Sequence, residues 1–91
     1  MVVDTKHGQF ECKNITRKQR RGLYRKVKSV FASEDMEQMH DLADEFALLA
    51  FGDEKKAEKA LGELTALQED EVLMTIINNY MGFENPLETG D

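Results

Sequence analysis

Thr65-Ala66-Leu67-Gln68-Glu69-Asp70-Glu71-Val72-Leu73-Met74-Thr75-Ile76-Ile77-Asn78-Asn79-Tyr80-Met81-Gly82 is the stretch on which the fold class turns. Val72, Leu73, Ile76, Ile77 and Tyr80 recur at steps of three and four, the spacing that gathers side chains on one face of a helix. The start is marked twice. Thr65 and Gln68 stand three apart, as a reciprocal capping box requires, and the acids Glu69, Asp70 and Glu71 suit the positive end of a helix dipole. Gly82 closes the helix. So strong an apolar face needs a partner, and the preceding residues supply amphipathic helices to meet it.

Asp53 is placed to cap a short, alanine-rich third helix carrying Ala57, Ala60, Leu61 and Leu64, whose small residues permit close packing. Before it, Met36, Met39, Ala43, Phe46 and Ala50 repeat at helical spacing, and Leu42, Ala47, Leu49 and Phe51 widen that face. Leu48 falls on the otherwise acidic side. The last two turns of this second helix are thus apolar almost all round, so they must be buried on several faces or covered by a partner. Ser33 and Asp35 are alternative N-caps for it, with Glu34, Asp35 and Glu37 suited to its positive end, and Gly52 ends it.

The first helix opens at Thr16, in a capping box with Gln19. Leu23, Val27, Val30 and Phe31 form its apolar stripe, and Arg17, Arg21, Arg25 and Lys28 gather opposite. Gly22 inside it costs about 1 kcal/mol relative to alanine, or else marks the close approach of another backbone. Val2 and Val3, then Phe10 and Cys12, flank a turn at Lys6-His7-Gly8, which reads as a short β-hairpin within residues 1–13, with Gly8 able to take a positive φ and His7 exposed. The expected fold is therefore mainly α: a small bundle of about four helices preceded by a short N-terminal β-hairpin, one domain over 1–83. Residues 84–91, with Pro86 and Gly90, are expected to form a mobile tail.

Composition narrows the function. The chain has 91 residues, 41% apolar and 33% charged, enough for a modest single core. No run approaches the roughly 18 uncharged apolar residues of a membrane helix, and the N-terminus lacks signal-peptide blocks. A cytoplasmic protein is expected. The net charge of −6 hides a division: residues 1–31 carry nine bases and two acids, a net of +7, whereas residues 32–91 carry three bases and sixteen acids, a net of −13. Either the halves attract each other inside the fold, or the basic part faces an acidic partner.

Residues able to carry chemistry are few. Cys12 is the only cysteine, so no intrachain disulfide and no cysteine-rich zinc site can form, and it reads as a small buried apolar group in a strand. As a nucleophile it would need His7 or His40 as base. His40 reads as a boundary residue of the second helix, and Glu37, Asp41, Asp44 and Glu45 as a solvated acidic face without EF-hand or E-x-x-H spacing. No catalytic, metal or cofactor motif is present, and a binding protein is expected in place of an enzyme.

The arrangement resembles the small tail assembly chaperones of long-tailed, siphovirus-like bacteriophages. The likeness spans roughly Gln9 to Phe83. It rests on Phe10-Glu11-Cys12-Lys13 leading through Asn14-Ile15-Thr16 into the first helix, on Asp44-Glu45-Phe46-Ala47 and Phe51-Gly52-Asp53, and on Leu64-Thr65 followed by Val72 to Tyr80. The resemblance implies a chaperone that binds the tape measure protein, keeps it soluble and helps tail tube subunits gather round it in the host cytoplasm. It also implies self-association in some members and a longer frameshifted form. The family is defined by size, acidity and helical pattern, so no site residue carries over from it.

Candidate partner-binding residues come from the chain itself. Met36, Met39, Phe46, Leu48, Leu49 and Phe51 would make an adaptable apolar surface, although core packing explains them equally well. Arg17, Arg21, Arg25 and Lys28 would make a cationic one. Two other functions are weighed against the chaperone: a structural phage tail or connector subunit, and a small nucleic-acid-binding regulator using the first helix. The acidic remainder and a pI near 4.9 disfavour nucleic acid.

Overall fold

In the computed structural model, which describes residues 1–83, the elements run β1 (Val2–Thr5), β2 (Gly8–Glu11), α1 (Arg17–Ser33), α2 (Met36–Phe51), α3 (Glu54–Leu61) and α4 (Ala66–Met81). The chain is mainly helical, and its helices follow an antiparallel two-stranded hairpin. The tail expected at 84–91 lies outside the described residues. No helix among the described residues is long and apolar enough to cross a membrane.

Side-chain caps open the helices as their sequences imply. Thr16 and Gln19 form the reciprocal box at α1, with bonds of 2.8 and 3.1 Å, and Thr65 and Gln68 form it at α4, with bonds of 3.1 and 3.2 Å. Asp53 accepts from the Lys56 N–H at 2.8 Å to start α3. At α2 the two candidate caps resolve in favour of Asp35, which accepts from the Glu37 N–H at 2.9 Å. Ser33 instead ends α1, its hydroxyl donating to the Val30 carbonyl at 2.7 Å. Glu34, expected to serve α2, is the left-handed C-cap of α1 with φ 55. That conformation costs a side-chain-bearing residue about 1 kcal/mol, so the tight α1–α2 joint is held by the packing on either side of it.

In the hairpin Val2 pairs with Glu11, Val3 with Phe10, Asp4 with Gln9 and Thr5 with Gly8, leaving Lys6-His7 as a two-residue turn. Gly8 takes a φ of +120°, open to glycine and strained for other residues. Alternation along β1 sends Val3 into the core and Val2 to solvent. Beyond the strands, the Cys12 N–H donates to the Met1 carbonyl at 2.7 Å. The Lys13 N–H then donates to the Ala50 carbonyl at 2.8 Å, and the Tyr80 hydroxyl donates to the Lys13 carbonyl. Ala50 belongs to the last turn of α2, whose carbonyls have no helical donor, so the chain leaving the hairpin satisfies one of them and pins hairpin, α2 and α4 together.

The core is built on α4. Val72, Leu73, Ile76, Ile77 and Tyr80 are buried as the periodicity implies, and Thr75, Asn78 and Met81 join them, so α4 is covered on more than one side. Phe46 of α2 packs beside the Tyr80 ring, centroids 5.9 Å apart, and Phe51 meets Phe10 edge-on at 6.3 Å. From α1 come Val27 and Val30, with Leu23 and Phe31 partly buried. One alternative is settled and one expectation fails here. A Cβ built on Gly22 would meet nothing within 4 Å, so no neighbouring backbone requires that glycine. His7 is not a solvated turn residue: the hairpin lies against α4, which brings its Nε2 to 3.6 Å from one Glu71 oxygen while Lys6 Nζ stands 3.5 Å from the other.

Candidate functional site

The apolar residues proposed on α2 do not form one surface. Phe46 is 0% exposed and Phe51 nearly as buried, so both belong to the core and neither is available to a partner. Their side of α2 is covered by α4 and by Phe10 of the hairpin. Met39 and Leu49 are half-buried against the same cluster. Only Met36, at 66% exposed, and Leu48, at 45%, stand out of the fold. They are twelve residues apart, about 18 Å along a helix with a rise of 1.5 Å per residue, so no continuous methionine-rich stripe exists.

Leu48 faces something more organised. It lines an open groove of about 550 Å³ between α2 and α3, together with Ala47, Ala57, Leu61 and Gly62. Asp44, Glu54, Glu58 and Glu69 complete the lining. These carboxylates come from three helices: Asp44 from α2, Glu54 and Glu58 from α3, Glu69 from the first turn of α4. None is in a salt bridge among the described residues, and residues 84–91 contain no base. In the sequence Ala57 and Leu61 read simply as helix-packing residues. The clue available there was Leu48 itself, the one large apolar residue on an acidic side.

The cationic face is intact and outward. Arg17, Arg21, Arg25 and Lys28 are all exposed, and Lys18 and Arg20 join them. Tyr24, 38% exposed, packs with its ring tilted against Phe83, centroids 5.6 Å apart, and Lys28 Nζ sits 5.6 Å from the Tyr24 ring centre. Arg20, Arg21, Tyr24, Arg25 and Met81 line a shallow depression here. The two oppositely charged halves meet among the described residues through Lys26–Glu45 at 2.6 Å and Lys6–Glu71 at 3.5 Å, and the first of these is the one ion pair from α1. α1 therefore docks through Val27 and Val30 while its remaining bases stay solvated.

Groups able to do chemistry are dispersed. Cys12 is buried, and burial pushes its thiol up to about 11; the nearby N-terminal ammonium lowers that value and Glu11 adds to it. The thiol is therefore protonated at neutral pH, the form that does not attack. Burial likewise raises the Tyr80 hydroxyl to about 12, with Cys12 contributing. His40 is exposed on α2, and His7 is held at the hairpin turn beside Glu71. Among the described residues no three His, Cys, Asp or Glu side chains are placed to hold a metal ion. No protein family model, curated protein or solved structure matches the chain.

Proposed function

We propose that this chain is a protein-binding assembly factor of the tail chaperone kind, which holds a segment of the tape measure protein in solution and hands it on for the tail tube to form around. The observation that carries the binding part is Leu48, nearly half exposed at an apolar floor shared by α2 and α3. An exposed leucine alone is ordinary on a protein surface. One that stands over the buried Ala47, Ala57 and Leu61 and within charged walls has the anatomy of a small interface: an apolar centre with a polar rim. The phage assignment rests on the sequence resemblance.

Co-expression with the tape measure protein of the same phage tests the reading. The soluble fraction of that protein should rise several-fold with this chain and fall back with Leu48→Asp, a substitution that leaves the core untouched. A tape measure protein that stays insoluble beside the intact chain, with no complex recovered, would sink it.

A further inference from the structure

The groove floor is neutral and its walls are anionic, which restricts what can lie in it. We infer that the groove between α2 and α3 receives a cationic amphipathic helix, whose apolar stripe packs on the exposed Leu48, over a floor closed by the buried Ala47, Ala57 and Leu61, and whose lysines or arginines reach Asp44, Glu54, Glu58 and Glu69. The inference rests on the protein-binding reading above and adds the chemistry of the partner.

Four observations support it. The carboxylates belong to three different helices yet converge on one groove, which sets them apart from the solvated face of a single helix. They stand unpaired among the described residues, so a cationic partner relieves their mutual repulsion without breaking a bond inside the fold. The bases of α3, Lys55, Lys56 and Lys59, are exposed but are not part of the lining, so α3 presents its acids to the groove. Finally, Ala47, Ala57 and Gly62 keep the lining low, and small residues let a helical backbone approach closely.

A second copy of the chain is the natural rival, because α1 is itself cationic. Its apolar stripe is already spent: Val27 and Val30 lie in its own core, leaving Tyr24 as the one large apolar group exposed on that helix. A helix that has kept its apolar face free fits the floor better.

The test uses two synthetic 14-residue amphipathic peptides with leucines at i, i+3, i+4 and i+7, one carrying lysine and the other glutamate at the remaining positions. Binding to the full chain is followed by fluorescence anisotropy at low and moderate salt. The leucine–lysine peptide should bind, and Glu54→Gln with Glu58→Gln should weaken it at least tenfold. Glu37→Gln with Asp41→Asn, which removes the same charge elsewhere on α2, should change it less than twofold. If both peptides bind equally and both are lost with Leu48→Asp, the cationic inference is overturned while the protein-binding reading stands. Loss of affinity equal in the two double variants would mean general attraction to an acidic protein, and it overturns the inference too. So would failure of the leucine–lysine peptide to bind, with the co-expression experiment judging the function separately. A solution mass that doubles, and returns to that of one chain with Glu54→Gln and Glu58→Gln, would assign the groove to a second copy and end the proposal.

Discussion

Helices α1 and α4 have 17 and 16 residues, and each opens with a threonine whose hydroxyl and a following glutamine satisfy each other's backbone donors. Their surroundings differ. α4 buries eight residues, between α2, α1 and the first hairpin strand, whereas α1 buries only Val27 and Val30. The same local device thus starts a helix that forms the axis of the core and one that lies along its outside. What separates them is the width of the apolar stripe: α4 carries it over most of two faces, and α1 gives most of its circumference to arginine and lysine. Because so little of α1 is committed to the core, its cations remain on the surface, and the negative charge of the groove is left equally unspent.

The sharpest way to break this comparison is to truncate one residue in each helix. Ile76→Ala removes a fully buried side chain from α4 and should cost about 2–5 kcal/mol in chemical denaturation. Arg21→Ala in α1 should change stability by less than about 0.5 kcal/mol. Similar losses at the two sites would mean that α1 is as much a part of the core as α4.

Alkaline titration separates the two regions in another way. Below about pH 9 both the folded and unfolded chains keep the Cys12 and Tyr80 protons. As pH rises from the ordinary values of 9.0 and 10.0 toward about 11 and 12, the unfolded chain releases them first, so folded-state stability is lost across that window. The loss should be on the order of 2 kcal/mol by pH 11 and should shrink in Cys12→Ala. It belongs to the junction of the hairpin with α4, where Cys12 and Tyr80 are buried. Urea denaturation at pH 7, 9 and 11 decides it: a flat profile, or one unchanged by Cys12→Ala, would contradict the assignment.

The smallest effect is a gain in α1. With open space around Gly22, Gly22→Ala should stabilise the chain by about 0.5–1 kcal/mol through helix propensity alone. A destabilised variant would show that the outer face of α1 is covered in solution. Amide exchange would place the gain in the first turns of α1 if that part of the helix opens by itself.

Much of the fold was legible in the residues. Thr16, Asp53 and Thr65 mark helix starts, Gly52 and Gly82 mark ends, and all five do so in the structure. Gly8 takes the positive φ read for the hairpin turn. The site was less legible. Phe46, Leu48 and Phe51 all sit in the apolar end of α2; spacing set the leucine apart on the acidic side, but could not say that this side would stay open while Phe46 and Phe51 were covered. Nor could it say that Glu54, Glu58 and Glu69 from separate helices would meet Asp44 around Leu48, or that His7 would lie against Glu71.

The sequence by itself determined the elements, because a helix is started by a side chain bonding three residues away and sustained by bonds four residues long, all of it recorded within one short window. Only the tertiary structure decided which side chains are covered and which charges stay free. Those outcomes depend on contacts such as the Tyr80 hydroxyl on the Lys13 carbonyl, 67 residues away in the chain. Burial is a relation between distant segments, and no local pattern carries it.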